Sequence, residues 1–212
     1  MPKKRPPAVD SGVIILASGS PRRRELLTHA RVAFVIRAAD IDETRLTGEA
    51  PAEMVVRLAV AKARVVHAGR SAVELGLAVL AADTTVDLDG RELSKPESTA
   101  DAAAMLSALS GRWHLVHSGV AIVDPAGREH AFRVTTEVEF SRLSRVDIDD
   151  YVATGEAFDK AGAYGMQGGG AVFVTQVRGS PTNVIGLPLA ETLALLRAVC
   201  LVPSVNVQAR AA

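Results

Sequence analysis

A chain of 212 residues with 48% hydrophobic content is long enough to bury a sizeable core, as one large domain or two small lobes. Lysine plus arginine number 24, as do aspartate plus glutamate, so no global field draws the chain to a nucleic acid polymer or a membrane surface, and any basic site must be local. Cys200 is the single cysteine, which excludes an internal disulfide and a cysteine-built zinc site and suits a reducing cytosol; no apolar run approaches the roughly 18 residues of a membrane span. Residues 1–12, which include Pro2, Lys3, Lys4, Arg5, Pro6 and Pro7, read as a flexible basic tail, and 201–212 as a second tail. That leaves 13–200 as a single domain.

Val13 to Ala17 form a short apolar run, as a buried strand would, and Leu26 and Leu27 begin a helical face. Between them Ser20 falls at the N-cap and Pro21 at the first helical position. Such a helix start attracts anions, and Arg22, Arg23, Arg24 and the hydroxyls of Ser18 and Ser20 add to it, which points to a polyphosphate. Consecutive arginines cannot share one helix face, so at most two serve one ligand, and a solvated basic helix start is the plain alternative. Val32 to Arg37 reads as a second strand with an acidic cluster, Asp40, Asp42 and Glu43, beyond its end, where open α/β sheets place ligands. Pro51 opens a helix to about His67. Lys62 lies inside its apolar stripe, at i+4 from Leu58, so it either snorkels out or meets an anion in a partly buried place.

The apolar run Leu77 to Ala82 predicts a buried strand that gives way to Asp83-Thr84-Thr85-Val86, delivering a carboxylate at or near its end, with a carboxylate that merely caps the strand as the plain alternative. Asp87 to Gly90 forms a tight turn into Arg91 to Leu93, and Pro96 keeps Lys95 extended. Ser98 and Asp101 start an alanine-rich helix to about Leu109. Trp113 to Val123 and Arg128 to Phe140 are long strands joined by a turn at Asp124 to Gly127, which makes the sheet mixed. His114 and His117, three apart on a strand, face opposite ways and make a poor metal pair. Ser144 and Asp147 open a helix through Tyr151 that ends near Gly155. Five glycines from Gly162 to Gly170 are too many for a regular element, and with Tyr164 and Gln167 among them the stretch is a candidate binding loop. A strand from Ala171 to Val177 and a last amphipathic helix to about Val199 complete the pattern. There is no Walker-type loop and no Gly-x-Gly-x-x-Gly between strand and helix.

Cations at Arg22, Arg23, Lys62 and Lys95 and carboxylates at Asp83 and Glu43 are dispersed over element ends, as pocket residues are. The mixture suits a metal-dependent phosphoanhydride hydrolase: carboxylates hold a hard cation and position a water, while the cations neutralise phosphate charge.

Leu16-Ala17-Ser18-Gly19-Ser20-Pro21-Arg22-Arg23, Ala82-Asp83-Thr84, Lys95-Pro96, Lys160-Ala161-Gly162-Ala163-Tyr164-Gly165-Met166-Gln167-Gly168 and Asn183-Val184-Ile185-Gly186-Leu187-Pro188 together resemble the Maf family of nucleoside triphosphate pyrophosphatases, in the same order from about residue 13 to 200. The resemblance implies an α/β fold akin to inosine triphosphate pyrophosphatases, with a mixed twisted sheet, flanking helices and two lobes around a cleft. It implies cleavage between the α and β phosphates to a monophosphate and pyrophosphate, with a divalent cation, Mg²⁺ or Mn²⁺, in a cytoplasmic enzyme that forms a homodimer. By motif, Asp83 matches the acidic residue that activates water, and Ser18, Arg23, Glu43, Lys62, Lys95 and Gln167 match functional polar positions. Lys62 and Lys95 join Asp83 as catalytic candidates; Ser18, Arg22, Arg23, Thr84 and Gln167 are substrate-binding candidates; Glu43 and Asp83 are the metal candidates. Arg22, Thr84 and Gln167 fit the subgroup specific for dTTP and UTP. Ser94 and Ser118 depart from the commoner glycine and threonine without removing a charge. A different class, a nucleotide-binding regulator of septum formation, is also associated with the family, but a pure binder gains little from a carboxylate beside phosphates.

Overall fold

The computed structural model describes residues 12–199; the two tails apart from Gly12, and Cys200, lie outside the described residues. Strand β1 (Val13–Leu16) leads into helix α1 (Pro21–His29) and strand β2 (Ala33–Ile36), and a loop then leads to helix α2 (Pro51–Ala68). Strands β3 (Val79–Leu88) and β4 (Arg91–Leu93), helix α3 (Thr99–Leu109), strands β5 (Trp113–Val123) and β6 (Glu129–Phe140) and helix α4 (Arg145–Ala153) follow. Three short 3₁₀ turns connect to β7 (Val174–Arg178), and helices α5 (Pro181–Ile185) and α6 (Leu189–Val199) close the described chain. The sheet has seven strands in the order β2-β1-β3-β5-β6-β7, with β4 beside β3. β1 runs parallel to both its neighbours, and every other pairing is antiparallel, so the sheet is mixed as expected.

Two lobes share this sheet. Around its parallel half, Leu26, Leu27, Leu187 and Leu196 cover one face, and Ala59, Ala63 and Val66 of α2 cover the other. Burial on both faces is why β1 and the start of β3 read as continuous apolar runs. Around the antiparallel half, Leu106 and Leu109 of α3, Ile148 and Val152 of α4, and the cluster Phe140, Tyr164 and Phe173 form a separate core on Val86, Val116 and Val138. α2 approaches β5 so closely that a Cβ on Gly119 would overlap the carbonyl of Val55. That glycine brings the helix bearing Lys62 down onto the sheet.

The structure corrects three boundaries. β3 does not stop at Ala82: its pairing with β5 is unbroken from Val79↔Val123 to Asp87↔Leu115. Alternation explains it, since Val86 and Leu88 continue the apolar face while Asp83, Thr85 and Asp87 take the other. Residues Ala171 to Phe173 belong to a 3₁₀ turn rather than a strand, because Phe173 turns into the core and the β6 pairing is irregular at Glu139/Phe140. The final helix is preceded by a separate short one, α5, ended by Gly186 at φ 130°.

β1 pairs with β3 only as far as Leu80, and β4 joins the same edge only at Val86. Between them the edge of β3 has no strand beside it. The cleft between the lobes opens there.

Candidate active site

A cleft of about 790 Å³ runs from the start of α1 past the middle of β3 to the glycine-rich segment. Asp83 lies at the unpaired part of the β3 edge, and its side chain points to the α2 face. The apolar stripe of α2 faces the sheet and carries Lys62 with it, to a residue exposure of 8%. There Lys62 Nζ donates to Asp83 Oδ1 at 2.7 Å and lies 2.9 Å from Glu43 Oε1. The lysine meets anions instead of snorkelling. Desolvating an ammonium and a carboxylate is costly unless they pair closely, and Lys62 with Asp83, both buried, do so. Glu43 comes from the loop between β2 and α2. Arg57 pins that loop: Nη2 donates to Glu49 Oε2 at 2.7 Å and to the Thr44 carbonyl at 3.1 Å. This pairing holds the Glu49 carboxyl down to about 2.

A second group lies on the other face of the same strand. Arg23, buried, donates from Nε to the Gly186 carbonyl at 2.9 Å, from Nη1 to Ser18 Oγ at 3.0 Å and from Nη2 to Thr84 Oγ1 at 3.2 Å. Burial pushes this guanidinium below its ordinary value, Asp83 and Glu43 oppose the shift, and Arg22 adds to it. Thr84 Oγ1 also lies 2.7 Å from Ser118 Oγ, so its hydroxyl is engaged in the cleft floor. Ser20 stands at the N-cap of α1 as expected, yet its side chain makes no capping bond. First-turn N–H groups of α1 are thereby left for a ligand.

Arg22 departs from the simplest expectation. Its guanidinium reaches across the cleft, Nη1 to Asp159 Oδ2 at 2.8 Å and Nη2 to the Asp159 carbonyl at 3.1 Å. Lys95 and Gln167 line the cleft as exposed side chains and hydrogen-bond to neither group above. Ser94, beside Lys95, is tied to the glycine-rich segment through Gly162 N–H to its carbonyl, 3.1 Å. The structure therefore unites Asp83, Lys62 and Glu43 directly, unites Ser18, Arg23 and Thr84 directly, and sets Lys95 and Gln167 on the opposite wall.

The histidines sit apart as anticipated: His114 Nε2 lies 2.8 Å from the Tyr164 hydroxyl, while His117 lies between Thr135 and Asp87. Among the described residues no three His, Cys, Asp or Glu side chains form a metal-holding group. The donor set fits a cation carried in on phosphate oxygens: Asp83 and Glu43 each keep a carboxylate oxygen outside the hydrogen bonds of the described residues. The sequence did not single out Glu92, which lines the cleft from β4 and whose carboxyl is pushed up by burial, nor Glu156 and Asp159. Asp159 directly precedes the Lys160–Gly168 motif. Glu92 gave no signal, since a three-residue strand after a turn carries no pattern.

An α/β sheet split at one strand edge, with buried cations and carboxylates meeting there, defines a protein built to handle a small polyanion. The Maf-like protein family matches residues 13–199. The chain is 52% identical over 187 residues to the dTTP/UTP pyrophosphatase of Anaeromyxobacter dehalogenans (strain 2CP-C), covering 87% of this chain and 92% of the relative. It is 51% identical over 184 residues to the dTTP/UTP pyrophosphatase of Methylobacillus flagellatus, covering 87% and 91%. Among solved structures a HAM1 protein from Coxiella burnetii aligns at TM-score 0.48 with 19% identity, over 88% of this chain and 98% of that one. This chain belongs to the Maf family.

Proposed function

We propose that the chain is a nucleoside triphosphate pyrophosphatase acting on dTTP and UTP, releasing the monophosphate and pyrophosphate. The observation that carries this is the Asp83–Lys62–Glu43 array, a buried ammonium between two carboxylates at the open strand edge. Relatives of the same family at about half identity bear the name of that activity.

In this proposal the triphosphate lies along the cleft with its charge against the start of α1, Ser18, Arg23 and Lys95. Mg²⁺ or Mn²⁺, held by Asp83 and Glu43 together with phosphate oxygens, would neutralise phosphate charge. Asp83 takes the proton of the attacking water. Lys62 fixes the Asp83 carboxylate in place through its hydrogen bond to Oδ1. Arg22, Thr84 and Gln167 bias the site toward a pyrimidine, Gln167 because its amide both donates and accepts.

The test is release of pyrophosphate and monophosphate from dTTP, UTP, CTP, GTP and 7-methyl-GTP with Mg²⁺ or Mn²⁺, on the wild-type chain and on Asp83→Asn. Preference for dTTP and UTP, with kcat lowered on the order of 10²- to 10⁴-fold in the variant while nucleotide still binds, is the expected result. Unchanged turnover in the variant removes Asp83 from proton transfer. Binding without release by the wild-type chain in either metal overturns the enzyme reading.

A further inference from the structure

The glycine-rich segment is held by a carboxylate that the chemistry described above does not use. Glu156 Oε2 accepts from the Gly169 N–H at 2.8 Å, and Glu156 Oε1 accepts from the Tyr151 hydroxyl at 2.9 Å. That hydroxyl in turn accepts from the Gly165 N–H at 3.3 Å. Lys160 adds a strut, its Nζ donating to the Glu156 carbonyl at 2.7 Å and to Asp159 Oδ1 at 2.6 Å. The glycines follow from this arrangement. A Cβ on Gly168 would run into the Glu156 carboxylate, one on Gly165 into the Lys160 side chain, and one on Gly170 into the Gly165 backbone and the Tyr151 hydroxyl. Gly168 and Gly169 are not in the left-handed region, so side chains are excluded by what fills the space and not by backbone angle. Gln167 sits within this wrap, exposed to the cleft, and no protein group among the described residues takes its amide.

We infer that Glu156, acting with Tyr151, is a positioning residue that folds the 165–170 backbone around its carboxylate and so presents Gln167 to the nucleotide base. This rests on the proposal that Gln167 reads the base of dTTP or UTP. The physical basis is the strength of hydrogen bonds to an ionised acceptor, which two anchored donors orient in a half-buried setting. The neighbours of Glu156 keep it ionised: Gly169 N–H, Tyr151 and Lys160 all favour the carboxylate and outweigh its partial burial. Tyr151 is buried, so the anchor is fixed to the α4 core rather than to the loop.

The test combines kinetics with amide exchange on Glu156→Ala, Glu156→Gln, Tyr151→Phe, Gln167→Ala and the Glu156→Ala/Gln167→Ala double variant. Losing these bonds should raise KM for dTTP about tenfold or more with little change in kcat. In the Gln167→Ala background the further effect of Glu156→Ala should nearly vanish. Glu156→Gln, which keeps an acceptor for Gly169, should recover much of the loss, and Tyr151→Phe should show a smaller effect of the same kind. Amide exchange at Gly169 and Gly165 should quicken in Glu156→Ala. Full additivity of the Glu156 and Gln167 effects overturns the inference while leaving the pyrophosphatase proposal standing. Gly169 exchange as slow in Glu156→Ala as in wild type overturns it whatever the chain hydrolyses; if Glu156→Ala does not fold, the Tyr151→Phe and Glu156→Gln variants decide by the same readouts. A wild-type chain that releases no pyrophosphate defeats the functional proposal instead, and exchange at Gly169 still judges the carboxylate.

Discussion

The two walls of the cleft are ordered by opposite means. On one, regular elements carry charged side chains into places that are otherwise apolar: Lys62 from the stripe of α2, Arg23 from the first turn of α1, Asp83 from the middle of β3. Lys62 and Asp83 fix each other, and Arg23 is fixed by the Gly186 carbonyl and the hydroxyls of Ser18 and Thr84. On the other wall a run of glycines has few side chains of its own, and its shape is imposed by Glu156, Tyr151 and Lys160 from neighbouring segments. Strength on the first wall comes from pairing buried charges, and on the second from backbone donors meeting one carboxylate. A site that binds a charged tail and discriminates a neutral ring needs both, rigid charge for the first and close backbone packing for the second.

The sharpest way to break this contrast is Lys62→Met, which keeps an apolar stem and removes the ammonium. Asp83 then stays buried without its partner, and stability should fall by about 3 kcal/mol or more, read as the urea midpoint at unchanged m, with turnover lost. A Met variant as stable as wild type would show that pairing does not hold the first wall. Gly119→Ala comes next. Its Cβ would collide with the Val55 carbonyl and lift α2, at a cost of about 1–3 kcal/mol and with kcat reduced because Lys62 moves with the helix. Loss of stability without loss of kcat would separate the helix position from the charge array.

Beyond the second wall the test is acid titration. Burial pushes His114, which holds the Tyr164 hydroxyl, down from 6.5 to about 4. The unfolded chain therefore takes up the proton first as pH falls. The contribution is full above about pH 6.5, declines by up to about 1.4 kcal/mol per pH unit, and levels off near pH 4. His114→Phe should flatten that part of the stability curve relative to wild type. Equal slopes in both proteins would assign the acid sensitivity elsewhere. The smallest effect is expected where the walls touch, at the exposed Arg22–Asp159 pair. Asp159→Asn should change stability by less than about 1 kcal/mol, and freeing Arg22 should raise KM for dTTP by less than about fivefold with kcat unchanged. A large fall in kcat would place Arg22 and Asp159 in the chemistry itself.

Much of the first wall was legible in the sequence because periodicity exposes an exception. A lysine at i+4 from Leu58 inside an apolar stripe has few tolerable fates, and the ion pairs with Asp83 and Glu43 are one of them. Asp83 itself was visible, but its position mid-strand was not. A carboxylate after six apolar residues looks like a strand end unless one knows that β5 stays paired with β3 as far as Asp87↔Leu115, which is a fact about pairing. The glycine-rich segment announced itself as irregular, yet the cause lies in Glu156, whose carboxylate occupies the room that a Gly168 side chain would need. Composition cannot say what fills a space. Arg22 read as a ligand-facing cation; its partner, 137 residues away in sequence, became visible only with the fold.

The unpaired stretch of β3 has one more consequence. Because the N–H groups of Ile15 and Ala17 donate to the carbonyls of Ala78 and Leu80, strand alternation aims the main-chain groups of Ala82 and Thr84 into the gap. A ligand there can be read by peptide groups that every residue type possesses, so part of its recognition is indifferent to substitution. The same placement keeps a bare strand edge at the bottom of a concave surface, where no other extended chain can lie flat against it.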